Sequence, residues 1–157
     1  MKMNKLFVAL IVSLGLFSCQ PEGRVFSENQ ELSPQVEWLK KDVLEFKVPI
    51  EDNSSAYNMS LTFRFATGYQ YRTANVKVTE TSPSGNEVVK EYELTVIKSN
   101  GEYIGDGSLD IWDSEHLVES DKKYEETGTY TYKIEQNMPV DPLNYAMELG
   151  LILDKAK

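Results

Sequence analysis

Tyr57, Met59, Leu61, Phe63 and Phe65 alternate with Asn58, Ser60, Thr62 and Arg64. An extended backbone would turn the large apolar side chains to one face and the polar ones to the other, the signature of a half-buried strand. The same period recurs at Val76 and Val78, at Tyr92, Leu94 and Val96, at Tyr130, Tyr132 and Ile134, and at Met147, Leu149, Leu151 and Leu153. Five strands are predicted from these runs, and two weaker ones near Arg24 to Phe26 and from Val43 to Val48. Ser82-Pro83-Ser84-Gly85-Asn86 and Asn100-Gly101 have the residues that reverse a chain between neighbouring antiparallel strands. No segment sustains a 3.6-residue apolar period. The best helical candidate, Trp112 to Tyr124, is short and heavily charged. The expected fold is therefore all-β, an antiparallel β-sandwich of the jelly-roll or immunoglobulin-like kind.

The N-terminus follows a different pattern. Lys2 and Lys5 precede an uncharged run from Leu6 to Phe17, which closes in Leu16-Phe17-Ser18-Cys19. A helix over that run would span roughly 18 Å, short of the ~30 Å hydrocarbon core, so it reads as an export signal. Cys19 is the only cysteine. A leucine three residues before it and a small residue directly before it resemble the site where a bacterial lipoprotein is cleaved and acylated. The plainer alternative is a secretory signal followed by an unpaired thiol. Each buried methylene of an acyl chain contributes about 0.8 kcal/mol, so two or three chains on Cys19 would hold firmly. The expected organisation is a lipoprotein signal peptide over 1–18, a short tether over 19–23 and a β-sandwich domain over 24–157.

Composition narrows the partners. The net charge is −9, and loss of Lys2 and Lys5 with the signal makes the exported form more acidic still. Such a surface repels phosphate backbones, so no nucleic-acid partner is expected. With Cys19 acylated no disulfide can form, and stability must come from packing.

Candidate chemistry is sparse. His116, the sole histidine, lies in Asp113-Ser114-Glu115-His116. Neighbours along a chain do not converge as a triad must, so a solvated loop histidine is expected. Asp106, Asp110, Asp113 and Glu115 lack the ligand spacing of an EF-hand. The expectation is a protein with no catalytic residue, metal or small-molecule cofactor. The sequons at Asn53 and Asn58 carry little weight behind a bacterial lipobox. Of the nine tyrosines, Tyr57, Tyr92, Tyr130 and Tyr132 keep core phase in their strands. Tyr69 and Tyr71 do not, and are expected at a contact surface.

Several segments, taken in order, resemble one family. They are Trp38, Asp42 and Phe46-Lys47-Val48-Pro49-Ile50; Tyr57-Asn58 with Leu61 and Arg64; Tyr69, Tyr71 and Asn75; Gly101 with Gly105-Asp106-Gly107; and Gly128-Thr129-Tyr130-Thr131-Tyr132 leading to Glu135-Gln136 and Met138. With Gly150-Leu151 and the lipobox, this series resembles the gliding-motility lipoprotein GldH family. The resemblance implies a non-catalytic outer-membrane lipoprotein of gliding motility and its associated secretion machinery, anchored by lipid on Cys19 and acting through contacts with envelope proteins. Tyr69, Tyr71, Glu135 and Gln136 are the candidate contact residues. The alternative is a surface lipoprotein whose sandwich binds glycan, which would need a row of exposed aromatics on a concave sheet face.

Overall fold

Residues 21–157 are described by a computed structural model, and Cys19 lies outside them. The chain runs β1 (Arg24–Glu31), β2 (Glu37–Trp38), β3 (Leu44–Ile50), β4 (Tyr57–Ala66), β5 (Thr73–Thr81) and β6 (Glu87–Thr95), then β7 (Asp106–Ser108), β8 (Ile111–Lys122), β9 (Gly128–Gln136), β10 (Leu143–Asn144) and β11 (Ala146–Lys155). There is no helix among the described residues. A five-stranded sheet has the order β1-β11-β4-β8-β7 and a four-stranded sheet the order β3-β9-β5-β6, with β10 and β2 forming a small separate pair. All strand pairs are antiparallel. The sandwich expected from the alternation is the fold.

The core sits where the two apolar faces meet. The five apolar side chains of β4 are each at most 1% exposed, and Leu149, Leu151 and Leu153 of β11 are fully buried beside them. The opposing sheet supplies Phe46, Val48 and Ile50 from β3, Tyr130, Tyr132 and Ile134 from β9, and Ala74, Val76 and Val78 from β5. Each large apolar side chain buried this way contributes about 1.5–3 kcal/mol. Within the core the Tyr124 and Tyr132 hydroxyls satisfy one another at 2.7 Å. The Ser82–Asn86 turn joins β5 to β6, with Gly85 at φ +90°. Asn100-Gly101 reverses the chain between the bridged residues Ile97 and Tyr103.

The helical candidate is corrected: residues 111–122 form β8, the longest strand. On its inward face Ser114, opposite Phe63, and His116, opposite Leu61, separate the part-buried Trp112 and Val118, so no continuous apolar alternation marks it. Register shifts on either side of Met59 then break the period and place Glu119 opposite Met59 and Lys122 opposite Tyr57. His116 is accordingly a half-buried strand residue and not a solvated loop residue.

That irregularity closes the open side of the sandwich. Lys122 lies 2.8 Å from Glu80 of β5 and 2.9 Å from Glu119, and Lys90 and Tyr92 of β6 also bond Glu119. The side chains of Glu119 and Lys122 are 10% and 11% exposed. Burial alone would raise the Glu119 pKa, but the hydrogen bonds from Lys90, Tyr92 and Lys122 outweigh it and hold the carboxyl below its ordinary range. Burial likewise works against the Lys122 ammonium, and its bonds to Glu80 and Glu119 outweigh that and raise its pKa. Both shifts favour the charged forms: the Lys122 contribution is lost as pH rises through its folded pKa, and that of Glu119 as pH falls through its own. Removing one partner strands the others in a low-dielectric site. Lys122→Ala is therefore expected to lower stability by about 3 kcal/mol in urea denaturation at neutral pH, against less than about 0.5 kcal/mol for Lys98→Ala in the exposed Lys98–Glu102 pair.

Candidate functional site

The outer face of the five-stranded sheet collects polar side chains from four strands. In register, Arg64 of β4 lies between Glu148 of β11 and Asp113 of β8, while Gly150 of β11 lies between Asn29 of β1 and Thr62 of β4. Arg64 donates from Nε and Nη2 to the two oxygens of Asp113, at 2.7 and 3.1 Å, and from Nη1 to Glu148 Oε1 at 2.7 Å. The bidentate bond to Asp113, with Glu148 behind it, raises the guanidinium pKa above its already high ordinary value. Arg64 is thus a fixed hub.

Beside the hub, Thr62 Oγ1 donates to Asn29 Oδ1 at 2.9 Å across β11. Only glycine permits this: a Cβ on Gly150 would lie 1.8 Å from Asn29 Oδ1 and 2.3 Å from Thr62 Oγ1. At the other rim Gly105 has φ +107°, and a Cβ there would lie 2.0 Å from the Asp113 carbonyl oxygen. The two glycines leave a cleft of about 380 Å³ lined by Asn29, Thr62, Arg64, Asp113, Glu115 and Glu148 among others. Asp106, Asp113, Glu115 and Glu148 outnumber the one arginine, so the cleft is acidic. Among the described residues no group of three or more His, Cys, Asp or Glu is placed to hold a metal ion.

Ser114 borders the cleft with its main chain, while its side chain points inward, is 2% exposed and donates its hydroxyl to the Phe63 carbonyl at 3.1 Å. His116 Nε2 lies 2.9 Å from Ser114 Oγ, and a hydroxyl that donates to Phe63 accepts there from the Nε2–H tautomer. In that tautomer the polarity is opposite to that of a base activating a nucleophile. Burial pushes the His116 imidazole below its ordinary pKa, and Glu115 opposes this more weakly.

The four candidate contact residues separate into two kinds. Tyr69, expected at the surface, is 2% exposed: its ring packs against Phe63 and Phe65, each at 5.7 Å, and its hydroxyl donates to the Thr73 carbonyl. Gln136 is 4% exposed, donating to the Val140 carbonyl and accepting from the Met138 amide, which fixes the loop after β9. Neither presents a surface, because loop 67–72 and loop 137–142 fold over the end of the core. Tyr71, half-buried with its ring 5.9 Å from Tyr69, and Glu135, paired with Lys77 at 2.8 Å, stay within reach of solvent. The Arg64 hub and the Asn29–Thr62 bond were missed. Arg64 is visible as an outward residue of β4, but its partners are 49 and 84 residues away, and no local pattern reports that.

Residues 24–153 match the family described as GldH lipoprotein. The chain belongs to the GldH lipoprotein family. It is 28% identical over 136 residues to the gliding motility lipoprotein GldH of Flavobacterium johnsoniae, covering 87% of this chain and 82% of that one. It is 27% identical over 128 residues to a gliding motility lipoprotein GldH homolog of Christiangramia forsetii, covering 82% and 77%. Among solved structures, BtGH115A, a 4-O-methyl-α-glucuronidase, overlaps 99% of this chain with 20% of its own, at 12% identity and a TM-score of 0.40. The GldH match begins at the first residue of β1 and ends inside β11, so it takes in both sheets. Arg64, Gly105 and Gly150, through which the sequence resembles GldH, line or shape the cleft.

Two outcomes follow from this geometry. Gly150→Ala is expected to destabilise the protein by about 1–3 kcal/mol in thermal denaturation, and Asn29→Ala on that background to recover part of the loss by removing the side chain it strikes. The depressed His116 pKa means that its contribution is present above the ordinary value of 6.5 and is lost progressively as pH falls from there through the folded value. His116→Gln is expected to flatten that limb of a stability-against-pH curve measured by urea denaturation.

Proposed function

We propose that this protein is a non-catalytic outer-membrane lipoprotein, anchored by acyl chains on Cys19, that serves gliding motility and its associated secretion machinery by contacting other envelope proteins. The observation that carries the reading is the family match over residues 24–153, supported by two relatives whose names place them in gliding motility. The sequence supports the anchor: a signal over residues 1–18, the acylated cysteine, a tether of a few residues and a sandwich from Arg24 onward. Lipid supplies the location and the domain supplies the specificity. Tyr71 and Glu135 would meet a partner directly, with Tyr69 and Gln136 positioning them from below. The Ser114 hydroxyl is buried and bonded to a main-chain carbonyl, so it is not offered to a substrate, which supports a binding role. The residues lining the cleft beside Arg64 include no aromatic, so that face lacks the stacking row a glycan-binding sheet would use.

Deleting the gene and scoring colony spreading and secreted proteins tests the reading. The native gene is expected to restore both, whereas a Cys19→Ala form, exported but not acylated, is expected to restore neither. Full rescue by the soluble form would remove the anchor from the proposal, and normal spreading in the deletion strain would remove the motility role.

A further inference from the structure

Three of the four non-glycine residues with positive φ among the described residues, Val36 (57°), Leu109 (57°) and Tyr145 (66°), lie at one end of the sandwich, opposite Arg24. The left-handed region is unfavourable for any side chain and most of all for a β-branched one. Such strain persists only where the surroundings enforce it, and it clusters where a fold presents something. Here the enforcement is visible. The Tyr145 amide donates to the Val36 carbonyl at 2.8 Å, the Ala66 amide donates to the Tyr145 carbonyl at 2.9 Å, and the Val36 amide donates to Ser33 at 3.0 Å.

The strain holds an aromatic ring in the open. Tyr145 is 40% exposed, yet its ring is braced from beneath: a Cβ on Gly68 would lie 3.0 Å from ring atoms Cε1 and Cζ. Gly68 at φ +111° supplies the close approach that any side chain would block. The ring forms one wall of a cleft of about 530 Å³ whose other lining residues are Gln35, Val36, Ala66, Gln70 and Asn144. No carboxylate, ammonium or guanidinium lines it, in a chain of net charge −9. Gln35, Gln70 and Asn144 are exposed; Gln70 and Asn144 each offer a carbonyl acceptor and two N–H donors, and Gln35, whose Oε1 accepts from the Ser33 hydroxyl at 2.7 Å, offers its N–H donors.

An uncharged cleft with three carboxamides and a fixed exposed aromatic suits a ligand that is neutral, dense in hydroxyl or acetamido groups and apolar on one face. A charged ligand finds no counter-charge. An extended peptide adding to the backbone finds the Tyr145 amide, the Tyr145 carbonyl and the Ala66 amide already bonded. We propose that this cleft is a binding subsite for a neutral saccharide, with Tyr145 stacking on a pyranose ring and Gln35, Gln70 and Asn144 hydrogen-bonding its substituents. The subsite is separate from the Arg64 cleft and does not depend on the adaptor role.

The test uses the full acylated protein in a non-glycosidic detergent, titrated with chitotriose, cellotriose and maltotriose and, as a charged control, trigalacturonate. Saturation-transfer NMR and calorimetry give the readout. At least one neutral trisaccharide is expected to bind with a Kd of about 1 mM or tighter, and the acidic one not at all. Tyr145→Asn, which keeps a residue that tolerates positive φ while removing the ring, is expected to weaken binding about tenfold. Gln70→Ala, on an exposed loop, tests the same subsite without touching a strained position and is expected to weaken it several-fold. Leu109→Asn, outside the lining, is expected to leave it unchanged. Absence of binding by all three neutral sugars overturns the proposal, as does unchanged affinity in folded Tyr145→Asn or in Gln70→Ala. Loss of crosslinking to an envelope protein in these variants, with no sugar bound, also overturns it and makes the cleft a protein-docking surface.

Discussion

Strand β4 ties the two working faces of the molecule together, because it lies inside the five-stranded sheet with β11 on one side and β8 on the other. Its period of two sends Tyr57, Met59, Leu61, Phe63 and Phe65 into the core and turns Thr62 and Arg64 outward to the cleft. A slip of one residue would bury the guanidinium and expose the phenylalanines, so register is strongly enforced. The outward network is thereby fixed by an inward one. Arg64 can clamp Asp113 and Glu148 because Phe63 and Phe65 on either side are locked in apolar contact.

The same reasoning explains what could be read in advance. Strands that carry large apolar side chains on one face, such as β4, β9 and β11, were visible in the alternation, and two facing sheets followed from their number and from the turns between them. β8 escaped because its inward row interrupts Trp112 and Val118 with Ser114 and His116 and then passes to Glu119 and Lys122, polar groups satisfied by hydrogen bonds and ion pairs instead of by apolar contact. Its register shifts removed the remaining periodicity. β2, β7 and β10 are two or three residues long and exist only through their pairing. A strand made by its neighbours leaves no signature of its own.

The sites were less legible than the fold. Tyr69 looked like a surface tyrosine because it falls in a loop segment, but that loop packs back over Phe63 and Phe65 and buries it. Gln136 is one residue from half-buried Glu135 and points the other way, as alternation along β9 requires. The Arg64 and Gly150 contacts join residues distant in the chain. Nor does sequence announce Val36 or Tyr145 as left-handed, since glycine or asparagine is the expected occupant of such a conformation. Gly68 and Gly150 each sit where another chemical group comes close, but a glycine alone does not say which group or from where.

The positions of the two ends give the fold a direction. β1 begins at the N-terminal end and runs antiparallel against β11 from the Arg24–Asp154 pair to the Glu31–Glu148 pair. The Lys155 amide bonds the Gly23 carbonyl, so the chain is held to the sandwich before β1 starts. From Tyr57 to Ala66 the body extends roughly 30 Å along the strand axis. The entry to β1 and the strained, uncharged cleft around Tyr145 therefore lie at opposite ends of the strand axis, because β11 runs from Ala146, beside Phe65, back to Asp154, beside Arg24.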